Sequence, residues 1–205
     1  MRARGEIVSG RAGSSLSVTK PVEAPVFDVG WLYRTYAAKV GRWAARLGGP
    51  SIEVEDVVQE VFLVAKRRLI TFRPDGNGKI TTWLFRTTER IVRAVRRKQR
   101  WRRFVGMPDD DGALGGDTAG PIPGEELERR QEIARVYRVL DRLPERQRRV
   151  LILFELDGLS TQEIATLTGA RVGTVRVWLY RARAAFLEHH DQLMARDGKS
   201  EDDRR

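Results

Sequence analysis

The segment Ser160–Arg183, "STQEIATLTGARVGTVRVWLYRAR", constrains the fold of this chain more than any other stretch. Ser160 and Glu163 form the S-x-x-E pattern in which a hydroxyl and a carboxylate satisfy the free amides at a helix start. Gly169 follows about two turns later, where glycine ends a helix without steric cost. Beyond it Val175, Leu179 and Ala182 recur at helical spacing and would pack on Ile164 and Leu167. Helix, tight glycine turn and second helix make a helix-turn-helix. The stripe leaves Arg171, Thr174, Arg176, Val177, Tyr180, Arg181 and Arg183 facing outwards. In such a unit the second helix enters the DNA major groove. Arginine is the side chain best matched to guanine edges and phosphate oxygens.

A solvated basic face on an ordinary helical bundle would look similar, so the rest of the chain has to decide. Lys and Arg number 38 against 28 Asp and Glu, a formal net charge of +10, which points to a polyanionic partner. Cysteine is absent, which excludes disulfides, thiolate zinc sites and thiol catalysis and fits a reducing cytoplasm. No apolar run approaches the roughly 20 residues that cross a bilayer. The opening "MRARGEIVSGRAGSSLSVTKP" has no apolar core behind its basic residues and reads as a flexible arm, not a signal peptide.

Helical spacing runs through two blocks, and nothing alternates long enough to suggest a sheet. In the first block Leu32, Tyr36, Val40, Trp43 and Leu47 mark one helix, ending at Gly48-Gly49. Val54, Val57, Val58, Val61 and Ala65 mark the next. Ser51 is placed to cap it, with Glu53, Glu55 and Asp56 in its first turn and Lys66, Arg67 and Arg68 in its last, the signs the helix dipole favours. A loop, "FRPDGNGKIT", leads to a third helix whose buried side is Trp83, Leu84, Thr87, Ile91 and Val95. Gly, Pro and Asp then dominate "VGMPDDDGALGGDTAGPIPGEE", a linker. The second block opens with Ile133, Val136, Leu140 and Leu143 at helical spacing. Pro144 starts another helix, which ends at Gly158 before the helix-turn-helix. The fold class is all-α: two small helical domains joined by a flexible linker.

Between Arg86 and Arg103 the third helix carries Arg86, Arg90, Arg93, Arg96, Arg97, Lys98, Arg100, Arg102 and Arg103 with one acid, Glu89. Such density repels itself unless a polyanion screens it. Trp83, Trp101 and Phe104 lie among or beside these cations, and aromatic rings beside a cationic groove stack unpaired bases. Trp83 falls on the apolar stripe, so core packing competes for it, whereas Trp101 is freer for nucleic acid.

At this point the chain resembles the extracytoplasmic-function (ECF) sigma factors of bacterial RNA polymerase. The resemblance rests on "EDVVQEVFLVAKRRL", then "FRP…ITTWLFRTTERIVRAVRRKQR", then "LDRLPERQRRVLILFELDGLSTQEIATLTGARVGTVRVWLYRARAAF", in that order with a linker between. It implies a cytoplasmic, nucleoid-associated initiation factor with a flexible arm over 1–26, region two over 27–104, a linker over 105–124, region four over 125–190 and a charged tail over 191–205. Asp56, Gln59, Glu60 and Phe62 would dock on the clamp of the polymerase's largest subunit. Phe72, Arg73, Asn77, Lys79, Thr82, Trp83, Arg86, Arg90, Arg93, Arg96, Arg97, Arg100 and Trp101 would serve the minus-ten element. There the Phe72–Thr82 loop captures flipped-out bases. Ser160, Thr161, Arg171, Thr174, Arg176, Val177, Tyr180, Arg181 and Arg183 would bind the minus-thirty-five duplex, and region four would touch the flap of the second-largest subunit. The linker, with Asp109, Asp110, Asp111 and Asp117, would thread towards the RNA exit, and an anti-sigma factor is an implied partner. Arg90 stands where members usually carry Asn, Ala94 where they often carry Asp, and Val177-Trp178 where many read Ser-Arg.

Enzyme chemistry finds no coherent set, so no catalytic residue, metal ligand or cofactor is assigned. His189 and His190 are adjacent and diverge on a helix, which rules out an i, i+4 metal pair. The Asp109–Asp111 run lies in a Gly-rich linker that supplies no neighbouring groups to hold its carboxylates in place, so solvated charge is the better account than a metal site. A stand-alone helix-turn-helix regulator is the rival function; unlike a sigma factor, it binds its duplex site without polymerase. An RNA-binding or nuclease protein is a third reading.

Overall fold

A computed structural model of the chain describes residues 28–68, 77–106 and 124–202. Seven α-helices account for almost all of them: α1 (Val29–Gly48), α2 (Val54–Arg68), α3 (Asn77–Phe104), α4 (Gly124–Leu140), α5 (Glu145–Leu151), α6 (Thr161–Thr168) and α7 (Val172–Asp202). A single π-helical turn, Ile152–Leu156, continues α5. Among the described residues there is no strand, and no helix is long and apolar enough to cross a membrane.

The first three helices pack around the stripes that their spacing predicts. Asp28 caps α1 by accepting a hydrogen bond from the Gly30 amide at 3.1 Å, and Leu32, Val40, Trp43 and Leu47 turn inwards. Trp43 meets Phe85 of α3 edge-on, ring centroids 5.2 Å apart. Such a pair adds about 0.5–1.5 kcal/mol beyond the area it buries. Val57, Val58, Val61, Phe62 and Ala65 are the buried side of α2. Ser51 does not cap this helix, because α2 begins at Val54; instead the Ser51 carbonyl accepts from Gln99 Nε2 of α3 at 2.6 Å. Buried positions on α3 extend past the expected stripe to Phe85, Thr88 and Val92, because this helix is packed on more than one side. The start of α3 also takes in Asn77 to Thr82, which the sequence assigns to a loop; Phe72 and Arg73 lie outside the described residues.

In the second half α5, α6 and α7 enclose Val150, Leu151, Ile152, Leu153, Ile164, Val175, Leu179 and Ala182, with Leu140 of α4 closing one end. Ile133 and Val136, expected in this core, are instead 40% and 38% exposed. The C-terminal segment, expected to be a charged tail, continues α7 as far as Asp202. The arm over 1–26 and all but the ends of the linker over 105–124 fall outside the described residues.

The buried residues of the two halves form one cluster. Side chains of the second half cap the end of α1. The Tyr137 hydroxyl donates to the Arg46 carbonyl at 3.0 Å and Arg148 Nη1 donates to the Leu47 carbonyl at 2.6 Å. Arg148 is only 1% exposed and also reaches Asp141 Oδ1 at 3.2 Å, an oxygen shared with Arg96 Nη2 of α3 at 2.6 Å. Arg96 also lies 3.6 Å from Glu145. Alongside run the Arg149–Glu89 pair at 2.5 Å and the Arg46–Asp157 pair. Arg86 Nε donates to the Leu167 carbonyl at 3.2 Å, at the end of α6 where the helix dipole favours a cation.

Candidate nucleic-acid and protein interfaces

The helix-turn-helix is built as its sequence dictates. Ser160 and Glu163 close a reciprocal capping box: the Glu163 amide donates to Ser160 Oγ at 3.3 Å and the Ser160 amide donates to Glu163 Oε2 at 2.9 Å. The Ser160 hydroxyl also donates to this carboxylate, and these bonds hold its pKa below the ordinary range. Gly169 ends α6 in the left-handed region, φ 73°. On α7 Val175, Leu179 and Ala182 are buried, which rolls Arg171, Arg176, Val177, Tyr180 and Arg181 outwards. Tyr180 is 77% exposed, while Thr161 and Thr174 are half-buried. Arg183 departs from the expected set. Its Nε and Nη2 donate to Glu155 at 2.9 and 2.7 Å, and its guanidinium lies 4.9 Å from the Phe154 ring, so it is tied back onto its own domain. Trp178 is half-buried under Arg146, which lies 5.7 Å from its ring.

The basic helix α3 divides into two sets of arginines. Arg90, Arg93, Arg97, Lys98, Arg100 and Arg103 are exposed, with Trp101 at 58% and Phe104 at 88% exposure beside them. Arg86, expected to face the minus-ten strand with them, is exposed too but also donates to the Leu167 carbonyl, and Arg96 is engaged by the second half. Arg96 is 4% exposed and bonded to Asp141, so in this arrangement it presents nothing to a phosphate. Thr82 and Trp83 are half-buried, and Trp83 packs against the core. Sequence reasoning missed this division because the partners of Arg86 and Arg96 lie 81 and 45 residues further along the chain.

On α2 the exposed polar face holds Asp56, Gln59 and Glu60. Phe62, grouped with them in the sequence, is 5% exposed and packs edge-on against Tyr33 at 4.9 Å. The apolar side chain that does share the face is Leu63, 53% exposed and seven positions beyond Asp56. That spacing was the signal available in the sequence. A second apolar surface lies in the other half, a groove of about 410 Å³ lined by Val136, Leu140, Leu151, Ile152, Leu156 and Leu187. The Arg183–Glu155 ion pair sits on its edge.

Comparison with known proteins matches both halves. The sigma-70 region 2 model matches residues 32–102 and the sigma-70 region 4 model matches residues 133–186. The ECF RNA polymerase sigma-E factor of Escherichia coli is 37% identical over 141 residues, which is 66% of this chain and 73% of that protein. Among solved structures, CnrH in complex with the cytosolic domain of CnrY aligns at a TM-score of 0.53 with 27% identity, covering 80% of this chain and 88% of that one. The sigma factor RpoE from Bartonella quintana, solved with the anti-sigma factor NepR, shares the fold at a TM-score of 0.50 with 24% identity, over 78% of this chain and 94% of that one.

Proposed function

Because the chain belongs to the ECF group of the sigma-70 family, we propose that its exposed surfaces divide promoter recognition and polymerase docking between them. It is a sigma factor: it binds core RNA polymerase, recognises promoter DNA and promotes strand opening for transcription initiation. Residues 27–104 act as the minus-ten and polymerase-binding unit and residues 125–190 as the minus-thirty-five unit. The exposed face of α7 carries the assignment for the second unit. Arg176 and Arg181 stand outwards on the second helix of a helix-turn-helix, with Val177 and Tyr180 between them and Arg171 exposed just before its first turn. Arginine reads guanine by paired hydrogen bonds, and apolar side chains contact the thymine methyl.

Strand opening needs no hydrolysis in this reading. Bases of the non-template strand leave the stack and are held by aromatic and cationic side chains, which offsets the cost of unstacking. Trp101 with Arg90, Arg93, Arg97 and Arg100 supplies that surface, and the segment from Phe72 to Thr82 meets the flipped bases. Asp56, Gln59, Glu60 and Leu63 form the polymerase-docking face, where an exposed leucine within a polar ring suits a protein partner. The groove on α4, α5 and α7 takes an apolar helix face from the flap of the second-largest subunit. An anti-sigma factor acts by covering these surfaces.

In vitro transcription with purified core polymerase on a promoter library tests the reading. Transcripts should start downstream of a common pair of elements, and Arg171→Ala, Arg176→Ala and Arg181→Ala should each alter the upstream one. Tight, sequence-specific duplex binding without polymerase, and no transcription with it, would instead establish a stand-alone regulator.

A further inference from the structure

Three cations of α1 face a cavity that neither the promoter-binding nor the polymerase-docking surface accounts for. Lys39, Arg42 and Arg46 stand at i, i+3 and i+7, which puts them on one side of the helix. They line a cavity of about 730 Å³ that is also bounded by the start of α3, by Asp157 and by α6. The acids beside them are already engaged. Asp157 pairs with Arg46 through Oδ1, and Glu163 is bound by the Ser160 hydroxyl and amide in the capping box. Lys39 and Arg42 are exposed and make no ion pair among the described residues; the Lys39 ammonium lies 5.4 Å from the centre of the Trp43 ring. The three charges nevertheless act on one spot: burial pushes the Asp157 carboxyl up, and Arg46, Arg42 and Lys39 all pull it back. Like charges on one helix face repel, and a bound anion relieves that repulsion.

A bare anion would use the α1 side alone. The rest of the lining has a different chemistry. Leu159 adds an apolar surface, and Gln162 and Thr166, exposed on α6, add an amide and a hydroxyl. The Thr166 hydroxyl donates to the Gln162 carbonyl at 3.1 Å and keeps its lone pairs for a ligand donor. Asp157, its side chain 9% exposed, has one oxygen held by Arg46 and the other, Oδ2, without a hydrogen-bond partner, which leaves an acceptor for an N–H group. Sites for small organic ligands enclose about 300–1,000 Å³ and set a few polar groups among apolar ones. We propose that this cavity binds a nucleoside phosphate, with its phosphates on Lys39 and Arg42 and its base and sugar along Leu159, Gln162 and Thr166. Arginine takes phosphate oxygens by paired, charge-assisted hydrogen bonds and lysine holds them as a point charge. A base edge carries N–H donors for a carboxylate and acceptors for an amide. The inference goes beyond the sigma-factor reading and does not rest on it; of the lining residues only Thr81 and Thr82 belong also to the segment offered to the promoter strand.

Calorimetric titration of the full chain, without polymerase, with ADP, GDP and inorganic pyrophosphate tests the site. At least one of the two nucleotides should saturate the protein at one per chain and bind about tenfold more tightly than pyrophosphate, because the nucleoside adds hydrogen bonds that pyrophosphate lacks. Lys39→Ala with Arg42→Ala removes two charge-assisted contacts and should weaken nucleotide and pyrophosphate alike, by about tenfold or more. Gln162→Ala with Thr166→Ala should weaken the nucleotide by about fivefold and leave pyrophosphate unchanged. Lys66→Ala with Arg67→Ala, exposed at the end of α2, makes the same charge change as the first pair away from the cavity and should bind as the parent does. No saturable binding of either nucleotide, equal affinity for pyrophosphate, or an equal loss in the α2 control overturns the proposal. So does a short single-stranded oligodeoxynucleotide that binds with the nucleotide's dependence on all four cavity residues, which would place promoter DNA there instead. The four cavity side chains are exposed, so their variants should keep the fold. If circular dichroism shows that one does not, the comparison of ligands on the parent protein decides.

Discussion

Gly158 and Gly169 make a matched pair for testing how the second half holds the first. Both have left-handed backbones, φ 65° and 73°. Alanine in that region costs about 1–2 kcal/mol, offset by about 0.4–1 kcal/mol because the unfolded chain also loses freedom. Each substitution should therefore cost about 1 kcal/mol, a fall of roughly 2–4 °C in melting temperature for a chain of this size. Their surroundings differ. A Cβ at Gly158 would meet nothing within 4 Å, whereas one at Gly169 would lie 2.5 Å from Nη2 of Arg86. That atom is the far end of a flexible side chain, so the clash expels Arg86 and its bond to the Leu167 carbonyl without breaking the helix-turn-helix. Chemical denaturation should therefore report a loss for Gly169→Ala that exceeds that for Gly158→Ala by about 0.5–1.5 kcal/mol, the net worth of one hydrogen bond. Equal losses in both variants would refute the steric argument and put the effect in the backbone.

Three further predictions concern the site assignments. Phe62→Ala should cost about 3–5 kcal/mol by chemical denaturation because it empties a core position, whereas Leu63→Glu should change stability by about 0.5 kcal/mol or less and weaken capture of core polymerase in a pull-down. Replacing Arg171, Arg176 or Arg181 by Ala should cost about 1–3 kcal/mol and relax one base position wherever the arginine reads guanine; Arg183→Ala, tied to Glu155, should leave base preference intact when the same library is scored. Glu163 has its pKa lowered by the Ser160 hydroxyl and amide, so its support of α6 is present above the ordinary value of 4.5 and fades as acid takes the pH through the lower, folded one. Thermal melts of Glu163→Gln should therefore lose less on acidification than those of the parent protein.

The helix-turn-helix was fully legible because every device in it is local. The capping box, the Gly169 stop and the Val175–Leu179–Ala182 stripe all lie within a few turns of one another. Errors arose where burial depends on distant partners. Arg96 looks like every other arginine on α3 until Asp141 is brought beside it. Phe62 and Leu63 are neighbours of similar hydropathy; Phe62 continues the stripe of Val58 and Ala65 and meets Tyr33 of α1, while Leu63 shares the face of Asp56. Ile133 and Val136 keep a correct helical period, but periodicity identifies an apolar face without saying whether this chain covers it. The association of the two halves was illegible for the same reason: it rests on side chains reaching backbone carbonyls, Tyr137 to Arg46 and Arg148 to Leu47, which leave no mark on composition or spacing.

The π-helical turn at Ile152–Leu156 sets a length rule for the chain. The Asp157 amide donates to the Ile152 carbonyl five residues back, at 3.2 Å, so this turn holds one residue more than an α-helical path would. Each α-helical residue advances the helix by about 100°. Deleting any one of these five residues would restore a plain helix and swing everything after it by about that angle. Asp157 would leave Arg46, and the Ser160 cap would start α6 in a new direction. Relatives that keep this geometry should therefore differ here by substitution and not by insertion or deletion, and an aligned gap between Pro144 and Ser160 would mark a chain whose DNA-reading helix is aimed differently.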